Sequence, residues 1–304
     1  MKILVTGGLG NLGIALIKSL LNQKNLNLTV LDTISNNKIA AKNFLDANNV
    51  GFYEATTSGS IDKTIKALNV DLIIHLAAKL DHIEKGIIFS EYSTKNNEMT
   101  KIIVDYCSQE NIKLIYPSST SVYHRLEGKV DETSNVQNNI YNYSTSKIFD
   151  EQYMLKKAND NLKHTILRLG SVHGYSMSMK FNTAVNKFCW NYSRNIPLPI
   201  WSGSLHTVRP YLSLNDFIRA VLFIISNNMF NGQVYNVVTN SYSTSQIIQL
   251  IENCGGKTAE LEYIDVGEQE FNSIFTSTEK IKHEGFQFFG SIEKDIREVL
   301  KYLS

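Results

Sequence analysis

The beginning of the chain constrains the fold most. The apolar run "KILVTG" (2–7) leads into "TGGLGNLG" (6–13), which opens "LGIALIKSLLNQ" (12–23), a segment of helical periodicity. A short apolar run followed by apolar residues at helical spacing reads as a strand with a helix packed back onto it. Between them Gly7, Gly10 and Gly13 recur at every third position. Glycines so placed permit the tight turn, let backbone approach a pyrophosphate, and let the helix close on the sheet. The helix N-terminus offers unpaired N–H groups and the positive end of its dipole to phosphate. Gly7, Gly10, Asn11, Leu12 and Gly13 are therefore expected to face a dinucleotide. Asp32 ends the next apolar run, "LTVLD" (28–32). It stands about 20 residues beyond the loop, where a carboxylate accepts hydrogen bonds from adenosine ribose hydroxyls. It would repel a 2′-phosphate, which favours NAD over NADP.

The alternation continues. "IDKTIKAL" (61–68) reads as helix, "DLIIHLAA" (71–78) as strand then loop, "NEMTKIIVDYCSQE" (97–110) as helix and "KLIYPSS" (113–119) as strand. A long helix over 141–160 precedes the strand "HTILRLG" (164–170). Such alternation predicts an α/β fold, a Rossmann-type doubly wound parallel sheet. Beyond residue 170 come a helix (182–194), the turn-rich "NIPLPIWSGS", a helix (216–227) with Asp216 as N-cap, and a strand (233–238). A helix over 243–255 ends at Gly255, and a last helix starts near Ser291. The expected organisation is an NAD-binding Rossmann domain over 1–168 and a smaller, mainly substrate-binding α/β part over 169–304, with about 207–238 returning to the first. No flexible linker separates them, so a cleft is expected between the two.

Composition narrows the partners. A net charge of +1 gives no global attraction for nucleic acid or an anionic membrane. The longest apolar runs, such as "AVLFII", fall far short of the roughly 18 residues of a membrane span, and the N-terminal run is too short for a signal peptide. Cys107, Cys189 and Cys254 are far apart and odd in number, which argues against a disulfide framework and zinc spacing. A cytoplasmic, metal-free protein is expected.

In "YNYSTSK" (141–147), Tyr143 stands four residues before Lys147, so the two share a helix face. Tyr141 is six away, well round the helix, and is the poorer partner. A free tyrosine titrates near 10. A neighbouring ammonium and a cationic nicotinamide would both favour its phenolate.

Taken in order, "TGGLGNLG", Asp32, "HLAA" (75–78), "IYPSSTSVY" (115–123) and "YNYSTSK" resemble the extended short-chain dehydrogenase/reductase family. More narrowly, they resemble its NAD-dependent sugar-nucleotide epimerase/dehydratase group, over nearly the whole chain. The resemblance implies catalytic roles for Ser119, Tyr143 and Lys147, with Tyr143 and Lys147 also on the cofactor. Leu76, Ala77, Ala78 and Asn96 would line the NAD. Ser119, Thr120, Ser171 and Arg209 would meet the nucleotide sugar, Arg209 at its diphosphate. Glu54 stands roughly where the resemblance expects an aspartate near the adenine, and Trp201 and His206 lie near the Arg209 segment.

The departures are informative. Dehydratases of this family carry Asp-Glu after the serine/threonine position, where this chain has Thr120 and Ser121. Ser171 and His173 replace an asparagine and a tyrosine, and Asp265 in "DVGE" (265–268) replaces an arginine. The implied function is a nucleotide-diphosphate-sugar epimerase acting by transient oxidation at C4. A 4-keto-sugar-nucleotide reductase or dehydrogenase is the alternative, and a non-catalytic NAD-binding sensor a third. The family pattern also implies a homodimer through the helices at 97–110 and 141–158.

Overall fold

A computed structural model describes residues 1–55, 58–78, 89–136, 142–267 and 271–304; Tyr141 and Glu268 lie outside them. The elements in the first half are β1 (Lys2–Thr6), α1 (Asn11–Leu20), β2 (Asn27–Asp32), α2 (Ile39–Ala47), β3 (Gly51–Glu54), α3 (Ser58–Ala67), β4 (Leu72–His75), α4 (Phe89–Gln109), β5 (Lys113–Ser119), β6 (Gly128–Val130), α5 (Asn142–Lys157) and β7 (His164–Leu169). The second half holds β8 (Ser171–His173), α6 (Ala184–Ser193), β9 (Leu198–Trp201), β10 (Val208–Ser213), α7 (Leu214–Ser226), β11 (Gln233–Val237), β12 (Asn240–Ser243), α8 (Thr244–Gly255), β13 (Leu261–Ile264), β14 (Ile274–Thr276), α9 (Glu279–His283) and α10 (Ile292–Leu303).

The main sheet has seven strands in the order β11-β7-β5-β4-β1-β2-β3, every pair parallel. Side chains alternate across it. Ile3 and Val5 of β1 pack with α1 and α7 on one face, while Leu4 packs with Ile65, Val104 and Met154 on the other. Both faces are thus covered, as a parallel sheet requires. The chain order reverses between β1 and β4, and a ligand crevice opens at the strand ends beside such a point.

β11 pairs with β7, so residues 233–237 belong to the main sheet. The remaining strands form β12-β10-β8, β13-β9 and β14-β6. A separate core joins α6, α8 and α10 through Cys189, Ile247, Ile251, Ile296 and Val299. Among the described residues no helix is long and apolar enough to cross a membrane.

Several local expectations change. The turn-rich "NIPLPIWSGS" contains strand β9, whose Pro199 aligns with Glu262 of β13 in an edge pair where a missing N–H is tolerated. α8 begins with a capping box from Ser243 and Gln246, and its left-handed residue is Gly256 (φ 77°) rather than Gly255. Gly255 is needed for packing: a Cβ there would sit 2.2 Å from the Tyr192 ring. α7 begins at N-cap Ser213, not Asp216. Asp216 is fully buried and accepts from the Phe289 and Gly290 amides at 2.9 Å each and from the Thr239 hydroxyl at 2.8 Å. It ties α7 to the chain entering α10. Asp216→Ala leaves three donors without their acceptor, and should lower stability by about 3 kcal/mol in urea unfolding.

Candidate functional site

The C-terminal ends of β1, β2, β4, β5 and β7 open on one cleft of about 1110 Å³. Gly7, Gly10, Asn11, Leu12, Gly13, Asp32, Leu76, Ala77, Ala78, Asn96, Ser119, Thr120, Tyr143, Lys147, Ser171 and Arg209 all line it. One cause places most of them together: they follow or end a parallel strand, or lie in the first turns of α1 or α5, while Asn96 comes from within α4 and Arg209 from the start of β10.

The glycine loop forms the floor. Gly7 has φ +70°, and a Cβ on it would fall 2.6 Å from the Ala77 amide nitrogen. A Cβ on Gly13 would fall 2.4 Å from the Gly7 carbonyl oxygen. The N-cap of α1 is Gly10, with no side chain to satisfy the first-turn N–H groups. This bare helix start fits a pyrophosphate. Asn11 accepts from the Ser176 hydroxyl at 2.5 Å, which fastens the loop to the second half of the chain.

Asp32 is buried at the adjoining end. Its carboxylate accepts from the Leu9 amide (2.8 Å), the Thr33 amide (2.7 Å) and the Lys38 ammonium (2.7 Å). Lys38 and Lys180 also line the cleft; burial and then the Lys38 charge push Lys180 below its ordinary range. Glu54, by contrast, is exposed and accepts from the Ile34 amide at 3.2 Å, away from the cleft walls.

At the opposite wall, α5 lies across the end of β5. The Ser119 hydroxyl accepts from the Ser121 amide at 3.1 Å, and the Thr120 hydroxyl donates to the Leu169 carbonyl at 3.2 Å. Lys147 donates to the Tyr116 hydroxyl and the Pro117 carbonyl, both at 2.9 Å. Its ammonium is 5.9 Å from the Tyr143 ring centre. Burial lowers Lys147 to about 8, against the opposing charges of Asp150 and Glu151. Tyr143 is pushed up to about 12 by burial, with a Ser119 hydrogen bond pulling the other way. The ligand-free protein thus holds the phenol neutral, because burial disfavours the phenolate there and the cationic nicotinamide expected to favour it belongs to the loaded site.

Behind this wall α5 is pinned to the sheet. Arg168 of β7 grips the Glu151 carboxylate through Nη2 (2.7 Å) and Nε (3.1 and 3.2 Å), and donates to the Tyr123 hydroxyl at 2.7 Å. Ser118 donates to Glu151 at 2.5 Å. His75 lies 2.7 Å from the Thr6 hydroxyl and is pushed down to about 3 by burial, then by Lys147.

Arg209 donates to the Asn272 carbonyl at 2.7 Å, and the half-exposed Trp201 lines the cleft nearby. His206 and Asp265 are not on its walls, and Asp265 instead accepts from the Gly267 amide in a turn. His173 is buried with its Nδ1 2.9 Å from Asp295, a packing position outside the cleft. His124 lines the cleft although sequence reasoning passed over it; burial, then Arg209 and Arg125, push it below its ordinary range. The available signal was its place directly after "SSTSVY". Glu98 of α4 is another wall residue missed, and with Asp32 it is a carboxylate of the cleft carried on an element other than the β5 end.

The model of the NAD dependent epimerase/dehydratase family matches residues 3–237. The ADP-L-glycero-D-manno-heptose-6-epimerase of Brachyspira hyodysenteriae is 27% identical over 276 residues, covering 86% of this chain and 83% of its own. The UDP-glucuronic acid 4-epimerase of Bacillus cereus, in complex with UDP-glucuronic acid and NAD, superposes with a TM-score of 0.89 at 22% identity, over 100% of this chain and 99% of that one. The dTDP-glucose 4,6-dehydratase of Bacillus anthracis, in complex with NAD, gives 0.85 at 22% identity, over 99% and 96%. The two structural likenesses speak for the fold. The family match spans most of the chain, and by it this protein belongs to the NAD-dependent epimerase/dehydratase family of enzymes, the group to which the order of its motifs already pointed.

Proposed function

We propose that this enzyme is an NAD-dependent epimerase of a nucleotide-diphosphate sugar, inverting C4 by transient oxidation with Tyr143 as acid and base. The observation that carries the reading is one cleft wall bearing Ser119, Tyr143 and Lys147, with hydroxyls rather than carboxylates directly after Ser119. Thr120 and Ser121 cannot do the acid/base work of an elimination, and the hydroxyl of Thr120 is engaged by Leu169.

In this reading Tyr143, as phenolate, removes the proton of the sugar hydroxyl and later returns it. Ser119 hydrogen-bonds the reacting oxygen. Lys147 steadies the phenolate and holds the nicotinamide ribose. NAD, when bound, would supply hydride-accepting and hydride-donating chemistry and a positive charge that a phenol at about 12 lacks in the ligand-free site. Asp32 takes the adenosine ribose, and the bare start of α1 takes the pyrophosphate. Arg209 pairs with the substrate diphosphate, with Thr120 and Ser171 alongside the sugar. The resemblance implies a phosphate-pairing arginine where this chain has Asp265, which lies off the cleft walls and brings no cation. This favours a substrate other than a common UDP-hexose. α4 and α5 lie side by side, with Phe149 and Leu155 exposed on α5, and we assign a homodimer to this face.

Tyr143→Phe should lower turnover by at least about 10²-fold while sugar-nucleotide binding, read by calorimetry, persists. A folded variant with full turnover overturns the reading. The wild-type substrate is sought by NMR in a panel spanning UDP-hexoses and ADP-heptoses, with NAD only catalytic in amount. Stoichiometric reduction of NAD would mark a net dehydrogenase instead. Lys147 must be charged to act and titrates at about 8, so the rate should fall as pH rises through that value.

A further inference from the structure

The wall behind Lys147 contains a carboxylate that the reaction above does not use. Asp150 follows Lys147 by three positions on α5 and so shares its helix face. Its side chain is 2% exposed. It accepts from the Tyr116 hydroxyl at 2.5 Å, from the Asn97 amide at 2.6 Å and from the Thr100 hydroxyl at 3.2 Å. A buried anion is costly unless hydrogen-bonded and paired, and these three partners are all neutral. The cation that faces it is Lys147, one hydroxyl away.

We propose that Asp150 is a positioning residue: through the Tyr116 hydroxyl it keeps the Lys147 ammonium charged and aimed into the cleft. The inference rests on the reading that Lys147 serves the reaction. The logic begins with a single proton. A phenol has one O–H, and Tyr116 gives it to Asp150, so its lone pairs are left to accept from Lys147. Without the carboxylate the hydroxyl could turn and present its proton to the ammonium. Tyr116 and Pro117 use two of the three ammonium N–H groups, and among the described residues the third is left for the cleft.

Electrostatics separates the two carboxylates near Lys147. Glu151 is gripped by Arg168 in a bidentate pair, which offsets its charge locally. Asp150 has no such cation, so its field acts on Lys147. The other titratable and charged groups facing this pair are Tyr116 on β5, Tyr143 on α5, and His75 on β4, which lies 3.2 Å from Thr100 and is held neutral. Lys95 and Glu98 of α4 stand on the cleft wall.

The test uses ligand-free protein labelled with 13C at lysine Cε, titrated by NMR, with Lys147→Arg to assign the signal. Asp150→Asn keeps the shape and removes the charge. The Lys147 titration should move down by about one unit or more, and Tyr116→Phe should move it the same way by less. In turnover assays the alkaline limb of kcat/KM should shift down with it, while KM at neutral pH stays near that of the parent. A folded Asp150→Asn protein whose Lys147 titrates as in the parent overturns the proposal. If that variant does not fold, Tyr116→Phe decides on the same criterion. Because the titration needs no substrate, a chain without epimerase activity would refute the proposed function and leave this result standing on its own.

Discussion

The site depends first on one close approach. Gly7, at φ +70°, brings the turn after β1 against the backbone of Leu76 and Ala77 after β4, closer than any side chain allows. Gly13 then lets α1 press on the carbonyl of Gly7. These two contacts leave backbone N–H groups, not side chains, facing the crevice where the sheet order reverses. Parallel pairing does the rest, since all seven strands end on one edge and deliver Asp32, Ala77, Ser119 and Leu169 to the same cleft.

The second constraint is a buried ammonium. Lys147 is among the least exposed charged groups, and desolvation works against its charge. The structure meets this with two carboxylates one helical turn on, Asp150 and Glu151. Arg168 pairs with Glu151, so Asp150 is the carboxylate with the larger effect on Lys147. The same burial keeps Tyr143 protonated in the ligand-free chain. A phenol that stays neutral until the cleft is loaded fits a reaction whose proton must leave only when the hydride can.

Much of this was legible from spacing. The glycine loop, the strand ends and the Tyr143–Lys147 helix face each have a local pattern that survives without knowledge of the fold. What escaped has no such pattern. β3 is an edge strand with mostly exposed side chains, so its residues lack the apolar alternation that marks a buried strand. Pro197 and Pro199, flanking Leu198, made β9 read as a turn, because the edge position that tolerates them is a tertiary fact. Asp216 looked like a helix cap by type and place, but its acceptors are filled from residues 239, 289 and 290. Lys38 and His124 reach the cleft from the short 3-10 turns that follow β2 and β5. Asp150 reads as one more polar residue on a long helix until β5 and α4 close over it.

The central claim is that a hydride leaves a substrate carbon and returns to the same carbon within one closed site. It is tested most directly by following a sugar nucleotide deuterated at the carbon that inverts, in ordinary water, by NMR and mass. The account predicts that the inverted product keeps its deuterium and that the cofactor is unchanged in amount at the end. Loss of the deuterium to solvent, at a rate matching inversion, would contradict it, because the carbon would then exchange a proton rather than a hydride.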